Sequence, residues 1–174
     1  EEAGIDPYPA STKKDLDLSV LVKDFTKLSK SKKKEYSLVG RVMSLRPQGA
    51  LIFFHFSDGT EKFQGLLKRG EGIADKDFDL FFDCVDIGDF VEVKGPLFVT
   101  KRNEKTVQVH SWKMLSKSLR PLPEKWHGLT DTEERFRRRY LDTLMNIEVK
   151  DRFVLRSKVV SLIRDFYNKE GFLE

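Results

Sequence analysis

The sequence predicts an all-β core with helices at both ends, and three observations predict it. Within residues 36–115, polar and apolar side chains alternate along several segments, as they do on strands whose two faces differ. Short turn signals containing glycine separate these segments. Apolar residues at helical spacing lie mainly outside this region, near residues 19–28 and 150–170. The chain therefore combines one sheet-rich core with helical extensions.

The N-terminal segment, residues 1–35, is predicted to form a helical arm. It is polar and has a lysine-rich end, but apolar residues recur at roughly helical spacing from Ser19 to Leu28. Asp17 or Ser19 is expected to cap this helix, because short polar side chains can accept hydrogen bonds from the free N–H groups of the first turn.

Five strands are predicted within residues 36–116. They are Tyr36–Arg46, Leu51–Ser57, Glu61–Leu67, Asp89–Thr100 and Thr106–Met114, with a short acidic helix at Ala74–Phe82 between the third and the fourth. Gly40 suits a bulge or a sharp bend in the first strand, which a closed barrel needs, and Asp58-Gly59 is a hairpin turn signal. This order is typical of the OB-fold, a five-stranded Greek-key barrel that binds oligonucleotides.

A linker at residues 117–130 is predicted to follow the barrel. Pro121 and Pro123 exclude a regular helix or a central strand there, because proline lacks an N–H group and restricts the residue before it. Thr130 or Asp131 is then expected to cap the first helix of a C-terminal helical region.

The last predicted helix, from about Lys150 to Glu170, has one apolar stripe and ends at Gly171. The stripe consists of Leu155, Val159, Leu162, Ile163 and Phe166. The roughly 50 residues after the barrel cannot bury such a stripe well. We therefore expect residues 131–174 to be part of a larger domain, or to bury this stripe at a dimer interface.

The composition describes an ordinary globular protein, with 39% hydrophobic and 34% charged residues. Apolar runs are too short to cross a bilayer, so no membrane association is expected. The single cysteine, Cys84, excludes an internal disulfide and fits a reducing compartment, which predicts a cytoplasmic location. Its apolar sequence neighbours predict that it lies in the core.

Charge is unevenly distributed, although the net charge is only +4. Seven basic residues and one acidic residue lie between Lys27 and Arg46, whereas eight acidic residues and one basic residue lie between Glu71 and Glu92. Such a field orients a polyanion. Within the basic segment, Lys33, Lys34 and Arg41 are predicted RNA-binding residues.

No catalytic residue and no metal site is predicted in this chain. Its three histidines, His55, His110 and His127, show no metal-ligand spacing with one another or with Cys84, and are expected to be structural. Phosphate-binding glycine motifs are absent from the sequence. No nucleophile has a recognisable base.

A nucleic-acid-binding surface is better supported, because such surfaces stack bases on aromatic rings and contact phosphates with Lys and Arg. The first three predicted strands offer Arg46, Phe53, Phe54, His55, Phe56, Phe63 and Gln64. Alternation places Phe54 and Phe56 on one face and Phe53 and His55 on the other. One set must fill the barrel, and the pattern alone does not say which.

Specific segments of the sequence resemble class II lysyl-tRNA synthetases. Residues 120–142, Arg-Pro-Leu-Pro-Glu-Lys-Trp-His-Gly-Leu-Thr-Asp and the arginine-rich helix after it, are similar to the hinge and following helix of that family. Asp6-Pro7-Tyr8-Pro9 matches as well. Arg156-Ser157-Lys158, Ile163–Phe166 and Gly171–Glu174 are similar to the opening of class II motif 1, which implies a chain cut within the catalytic domain.

The resemblance implies that the barrel is an anticodon-binding domain for lysine tRNA, of the UUU type. By position, Phe53 matches the phenylalanine that stacks on the central anticodon uridine, and Gln64 matches the glutamine that reads its edge. Glu104 and Arg46 match a glutamate and an arginine of the same site. Two departures are Ala50, where the family often has lysine, and Asn103, where it often has glycine; asparagine tolerates a left-handed backbone.

The resemblance also implies properties of a whole enzyme. The parent would activate lysine with ATP and Mg²⁺ and esterify it to tRNA, with the motifs for this chemistry beyond Glu174. It would be a homodimer joined through the apolar stripe of the last helix. Two other readings stay open from the sequence: a general single-stranded nucleic-acid-binding protein, and an adaptor that binds no RNA.

Overall fold

A computed structural model describes residues 6–31, 35–123, 129 and 131–173. These residues fall into two units: unit 1 lies within Glu1–Pro121, and unit 2 lies within Leu122–Glu174. The hinge residues Trp126 and His127, together with Thr130, lie outside the described part of the chain. Among the described residues, no helix has the length and apolar character needed to span a membrane.

Unit 1 is a mostly β OB-fold with short helices. Its strands are β1 (Tyr36–Gln48), β2 (Leu51–Ser57), β3 (Lys62–Lys68), β4 (Phe90–Gly95), β5 (Leu97–Val99), β6 (Lys105–Gln108) and β7 (Ser111–Ser116). They form one sheet in the order β5-β6-β3-β2-β1-β4-β7. The neighbours β3 and β6 are parallel, and all other neighbours are antiparallel. This arrangement places β6 beside the β1–β2–β3 meander.

The prediction of a closed, five-stranded barrel was wrong, since the sheet has seven strands and is not closed. The two last predicted strands are each divided in two, because each changes partner along its length. The first divides at Pro96, between β4, which pairs with β1 and β7, and β5, which pairs with β6. The second divides at Val109 and His110, where the chain leaves β6 for β7. Proline has no N–H group to continue a ladder.

Of the bulge or sharp bend predicted at Gly40, the bulge lies elsewhere, because the register of β1 shifts at Met43. Gly40 lies where β1 changes partner, because β1 pairs with β4 up to Arg41 and with β2 from Arg41 onward. A Cβ atom at position 40 would lie 2.7 Å from the Phe56 ring and 3.0 Å from the backbone of Ser57. Glycine is required there by close packing at the crossover.

The core lies between the sheet and three short helices, α1 (Leu18–Lys23), α2 (Phe25–Ser29) and α3 (Asp75–Cys84). The single predicted N-terminal helix is divided at Asp24. Phe81 of α3 packs against Phe54 and Trp112, with ring centroids 5.3 and 5.1 Å apart. Cys84, predicted to be in the core, is exposed at the end of α3, whose inward stripe consists of Phe78 and Phe81.

The cap of α1 comes from the β2–β3 turn. Asp17 occupies the N-cap position, but its side chain accepts no hydrogen bond from the helix, so the predicted cap was wrong. The Asp58 carboxylate accepts the Leu18 N–H at 2.9 Å, and the Thr60 hydroxyl accepts the Ser19 N–H at 3.2 Å. A distant turn thus supplies the acceptors that a helix start needs.

Unit 2 contains three helices, α4 (Thr132–Arg137), α5 (Arg139–Met145) and α6 (Ile147–Lys169). Asp131 caps α4 as predicted, accepting the Glu134 N–H at 2.7 Å. Gly171 has the predicted left-handed backbone, with φ of +83°. Asp142 is fully buried, and its pKa lies below the ordinary value because its carboxylate accepts hydrogen bonds from Asn146 and Arg135.

Candidate nucleic-acid interface

Phe53 lies on the outer face of the sheet, opposite Arg46 on β1 and Leu66 on β3. It is half-buried, whereas its neighbours Phe54 and Phe56 are 1% and 0% exposed and belong to the core. Of the two aromatic sets that alternation left open, the Phe54 set fills the interior. Part of the Phe53 side of the sheet is therefore accessible on this face, whereas Phe54 and Phe56 are not.

Gln64 lies on the same outer face as Phe53. It pairs with His55, two residues along β2 from Phe53, and alternate residues of a strand share a face. On its other side Gln64 pairs with Thr106 of β6. The next residue, Gly65, leaves room for Phe54, because a Cβ atom there would lie 2.2 Å from the Phe54 ring. The core phenylalanine thus fixes the backbone beside Gln64.

Gln64 is 6% exposed, and its amide is held at both ends. One end lies 2.6 and 2.9 Å from the two carboxylate oxygens of Glu104, and the other lies 3.0 Å from the Thr106 hydroxyl. A carboxylate accepts hydrogen bonds, so the amide nitrogen faces Glu104 and the amide oxygen faces Thr106. Two of the residues predicted for the site, Gln64 and Glu104, are thus in direct contact.

His55 joins this network, although it was expected to be structural. Its Nε2 lies 3.1 Å from a carboxylate oxygen of Glu104, and its Nδ1 lies 3.1 Å from the Ser44 hydroxyl. His55, Ser44 and Thr106 were absent from the predicted RNA-binding set. Alternation already placed His55 on the face of Phe53, but its contact with Glu104 depends on a strand that is distant in sequence.

The predicted basic residues fall at different places. Arg46 is exposed next to Phe53 and pairs with no carboxylate in the described part of the chain. Arg41 lies five residues earlier on the strand and stacks on Phe90, with its guanidinium 4.4 Å from the ring centroid. Burial lowers the pKa of Arg41. Lys33 and Lys34 lie outside the described residues.

The β5–β6 loop sets the position of Glu104. Asn103 has φ of +62°, so the expectation that asparagine replaces glycine in a left-handed position is confirmed. The Asn103 N–H donates to the Thr100 carbonyl at 2.9 Å, and the Glu104 N–H donates to the Thr100 hydroxyl at 3.1 Å. Lys101 and Arg102 are exposed at the tip of this loop. The loop thus brings two cations to the edge of the site.

The N-terminal arm covers another part of the outer face. The Asp15 N–H donates to the Ser37 carbonyl at 3.0 Å, and the Asp15 carboxylate accepts the Ser37 N–H at 2.6 Å. The Ser37 hydroxyl also donates to the Lys13 carbonyl and lies 2.7 Å from Glu92. The arm therefore covers β1 beside β4. None of these contacts involves Phe53 or Gln64, and the face around these two residues is called the open face.

The side chains of this site suit binding of a nucleic acid better than binding of a metal ion. Among the residues that the structure describes, no group of three or more His, Cys, Asp or Glu side chains could hold a metal ion. The site instead combines an aromatic ring, an oriented amide, a carboxylate and a guanidinium. These groups suit stacking on a base, hydrogen bonding to its edge and contact with a phosphate.

Comparisons with known proteins agree with this description. Residues 36–115 match the family model described as the OB-fold nucleic acid binding domain of the tRNA anticodon type. The chain is 40% identical over 171 residues to lysine–tRNA ligase 2 of Methanosarcina mazei, an alignment covering 98% of this chain and 33% of the relative. It is 41% identical over 174 residues to the lysine–tRNA ligase of Thermotoga maritima, covering 98% and 34%.

A third relative, the lysine–tRNA ligase of Halalkalibacterium halodurans, is 48% identical over 140 residues, covering 80% of this chain and 28% of the relative. The chain thus spans about a third of the length of the curated relatives that it matches. Similarity runs along nearly the whole chain and includes the OB-fold that carries the open face. Residues 36–115 therefore form an OB-fold domain of the tRNA anticodon type, and nearly the whole chain is homologous to about a third of the length of the lysine–tRNA ligases that it matches.

Proposed function

We propose that the open face of unit 1 binds the anticodon loop of lysine tRNA, with UUU as the preferred anticodon. The observation that carries this proposal is that Phe53 and Gln64 lie on the same outer face of neighbouring strands, with the Glu104 carboxylate beside Gln64. A ring and an oriented amide on neighbouring strands can hold one unstacked base between them. Phe53 would stack on the central uridine, and Gln64 would bond to its edge.

The chemistry of each group supports this assignment. Stacking of a base on an aromatic side chain contributes about 1–3 kcal/mol. An amide presents a donor and an acceptor side by side, which matches the uracil edge. Arg46, exposed and beside Phe53, would contact a phosphate. Arg41, Lys33 and Lys34 are proposed as further phosphate contacts, and Glu104 as a further base contact.

For the whole protein we propose ATP-dependent attachment of lysine to its tRNA. The relatives are lysine–tRNA ligases, and this chain corresponds to about a third of them. The residues described here offer no cluster that would hold Mg²⁺. We therefore assign no catalytic residue and derive no reaction step within this chain. A cytoplasmic location is part of the same proposal.

We also propose that the whole protein is a homodimer joined through α6. The apolar stripe of this helix is 46–67% exposed within the structure, at Leu155, Val159, Leu162, Ile163 and Phe166. Contiguous exposed apolar surface of this kind marks an interface. The isologous contact of a two-fold dimer would cover both copies of the stripe at once.

The experiment that tests anticodon recognition compares two RNA stem-loops. One carries UUU, and the other carries the same loop with C at the central position. We expect the chain to bind the UUU loop at least about tenfold more tightly, a difference of about 1.4 kcal/mol. Equal binding with a steep salt dependence would indicate a general nucleic-acid-binding protein. Absence of binding to either loop would favour an adaptor that does not bind RNA.

A variant separates edge reading from general affinity. Gln64→Ala is expected to narrow the difference between the UUU loop and the C-substituted loop more than it weakens binding to the UUU loop. Thr106→Val keeps the Gln64 amide and removes the hydroxyl that holds its oxygen, so this variant separates the orientation of the amide from its presence. If Gln64→Ala lowers binding to both loops equally, the edge-reading role of Gln64 is wrong.

A further inference from the structure

A glutamine side chain does not by itself choose between uracil and cytosine. Rotating its amide by half a turn exchanges the donor and the acceptor, and the two orientations have nearly the same shape. Uracil offers an acceptor next to a donor along its pairing edge, and cytosine offers the reverse. A glutamine that reads one of these bases selectively must therefore have its amide fixed by neighbouring groups.

Glu104 supplies such a group for Gln64. Its two oxygens lie 2.6 and 2.9 Å from the end of the amide, and an ionised carboxylate only accepts hydrogen bonds. The reversed amide would place an oxygen against these oxygens, with no hydrogen between them. The Thr106 hydroxyl lies 3.0 Å from the other end and can donate its one hydrogen to the amide oxygen instead of to the Glu104 carbonyl, which is 3.1 Å away. One lone pair of the Gln64 oxygen remains for a base, and its second N–H is available to a base when only one N–H bonds to Glu104.

The Glu104 side chain needs support to act in this way, because it is 48% exposed and lies next to a loop. His55 provides that support. Its Nε2 donates to Glu104 at 3.1 Å, while its Nδ1, 3.1 Å from the Ser44 hydroxyl, holds the ring from the other side. The His55 side chain is only 20% exposed and projects from a regular strand. A ring held at both nitrogens has little freedom to turn.

We propose that His55 is a positioning residue that sets uracil-over-cytosine selectivity by holding the Glu104 carboxylate against the amide nitrogen of Gln64. This inference rests on the proposed function, since it concerns how the same site selects its base. It adds a residue that acts through Glu104 and does not itself need to touch RNA. The chain Ser44–His55–Glu104–Gln64 then crosses three strands and a loop to fix one amide.

The test measures the selectivity ratio, which is the dissociation constant for the central-C loop divided by that for the UUU loop. His55→Leu is expected to lower this ratio about fivefold, the effect of losing one hydrogen bond, while binding to the UUU loop changes less than about twofold. His55→Gln, whose amide nitrogen can reach the same carboxylate, should keep the ratio within about twofold of the original. Thermal unfolding of each variant establishes that it is folded.

Glu104→Gln is the second variant, and it is safe for folding because this side chain is half exposed. Its neutral amide can both donate and accept, so it no longer fixes Gln64, and the ratio should fall as in His55→Leu. The double variant His55→Leu/Glu104→Gln should lose no more selectivity between the two loops than either single variant, because both changes interrupt one chain of contacts. Multiplicative losses would mean that His55 acts independently of Glu104 and would overturn the proposal.

The outcomes also separate this inference from the proposed function. If the unchanged protein does not distinguish the two loops, anticodon reading itself fails. If it distinguishes them and folded His55→Leu does so equally well, anticodon reading stands and the role of His55 is wrong. An equal loss of affinity for both loops in His55→Leu likewise overturns the positioning role, since it would indicate a general contribution to binding.

Discussion

The carboxylate of Asp58, in the turn between β2 and β3, accepts a hydrogen bond of 2.9 Å from the backbone N–H of Leu18, the first residue of α1. The Asp58 side chain is 5% exposed and also contacts Lys14 at 3.1 Å. The hairpin that carries Phe53 and Gln64 is therefore the element that anchors the N-terminal helix. The same β2–β3 turn thus anchors α1 and connects the two strands that carry the site residues.

Asp58→Ala is expected to destabilise unit 1 by about 1–2 kcal/mol, because it leaves the start of α1 without its acceptor. Asp17→Ala is the matched control: Asp17 occupies the N-cap position but accepts no hydrogen bond from the helix. Asp17→Ala should lower the free energy of unfolding by less than about 0.5 kcal/mol. Urea unfolding of both variants measures the difference, and equal costs would contradict the cap assigned to Asp58.

The same carboxylate predicts a pH dependence of stability. Burial alone would raise the pKa of Asp58, but hydrogen bonds from Thr60, the Leu18 N–H and Lys14 outweigh burial and hold it well below the ordinary value. Because its pKa is lower in the folded state, the ionised carboxylate contributes its full stabilisation at pH values above its unfolded-state pKa of about 4. This contribution to folding stability is lost as the pH falls toward the folded-state pKa. Stability should therefore decline below about pH 4.

Asp58→Asn should flatten part of that decline, because an amide does not titrate. The remaining slope is expected from other carboxylates, including Glu35, whose pKa is lowered by its hydrogen bond with His110. The free energy of unfolding at intervals between about pH 5 and pH 2 provides the measurement. An unchanged slope in Asp58→Asn would show that Asp58 does not titrate as described.

Phe53 and Phe54 are neighbours with opposite expected roles. Phe53→Ala should weaken binding of the UUU stem-loop by about 1–3 kcal/mol, because it removes a stacking surface, and should change folding stability little. Phe54→Ala should cost about 3–5 kcal/mol of folding stability, because it opens a cavity in the core. Titration of RNA and urea unfolding on both variants tests the pair. A large loss of stability in Phe53→Ala with unchanged affinity would reverse the assignment.

Asn103 is the one residue other than glycine with a positive φ among those described. Asn103→Gly should leave stability within about 0.5 kcal/mol, because glycine adopts this conformation without strain. Asn103→Val should cost about 1–2 kcal/mol, because a β-branched side chain resists φ of +62°. Thermal unfolding compares the two. If valine is tolerated as well as glycine, the loop does not require this backbone conformation.

The proposed dimer interface predicts that self-association depends on the apolar stripe of α6. Leu162 is 67% exposed, and Leu162→Glu should weaken any dimer of the chain at least about tenfold, because it places a charge within the contact. Lys158→Gln, on the same helix, is the control that leaves the stripe unchanged. Sedimentation equilibrium measures both, and equal association would argue against this interface.

The sequence by itself determined the elements that depend on local pattern. Alternation along residues 51–57 requires two faces, and the structure has Phe54 and Phe56 on one and Phe53 and His55 on the other. The Asp131 cap and the left-handed Gly171 follow from short-range chemistry as well. Phe53 and Gln64 were named from resemblance, and the OB-fold from the order of strands. The alternation, the cap and the left-handed glycine needed only residues close together along the chain, whereas the strand order and the resemblance used the order of segments along its whole length.

Tertiary structure decided which face of β2 is the inner one, where the last two predicted strands divide, and which acidic side chain caps α1. It also brought His55 into contact with Glu104, 49 positions away in the chain. The physical reason is common to all four. The partner of a strand and the acceptor of a buried polar group lie on distant segments of the chain, which become neighbours only when the core is packed. Local periodicity in the sequence does not predict these long-range partners.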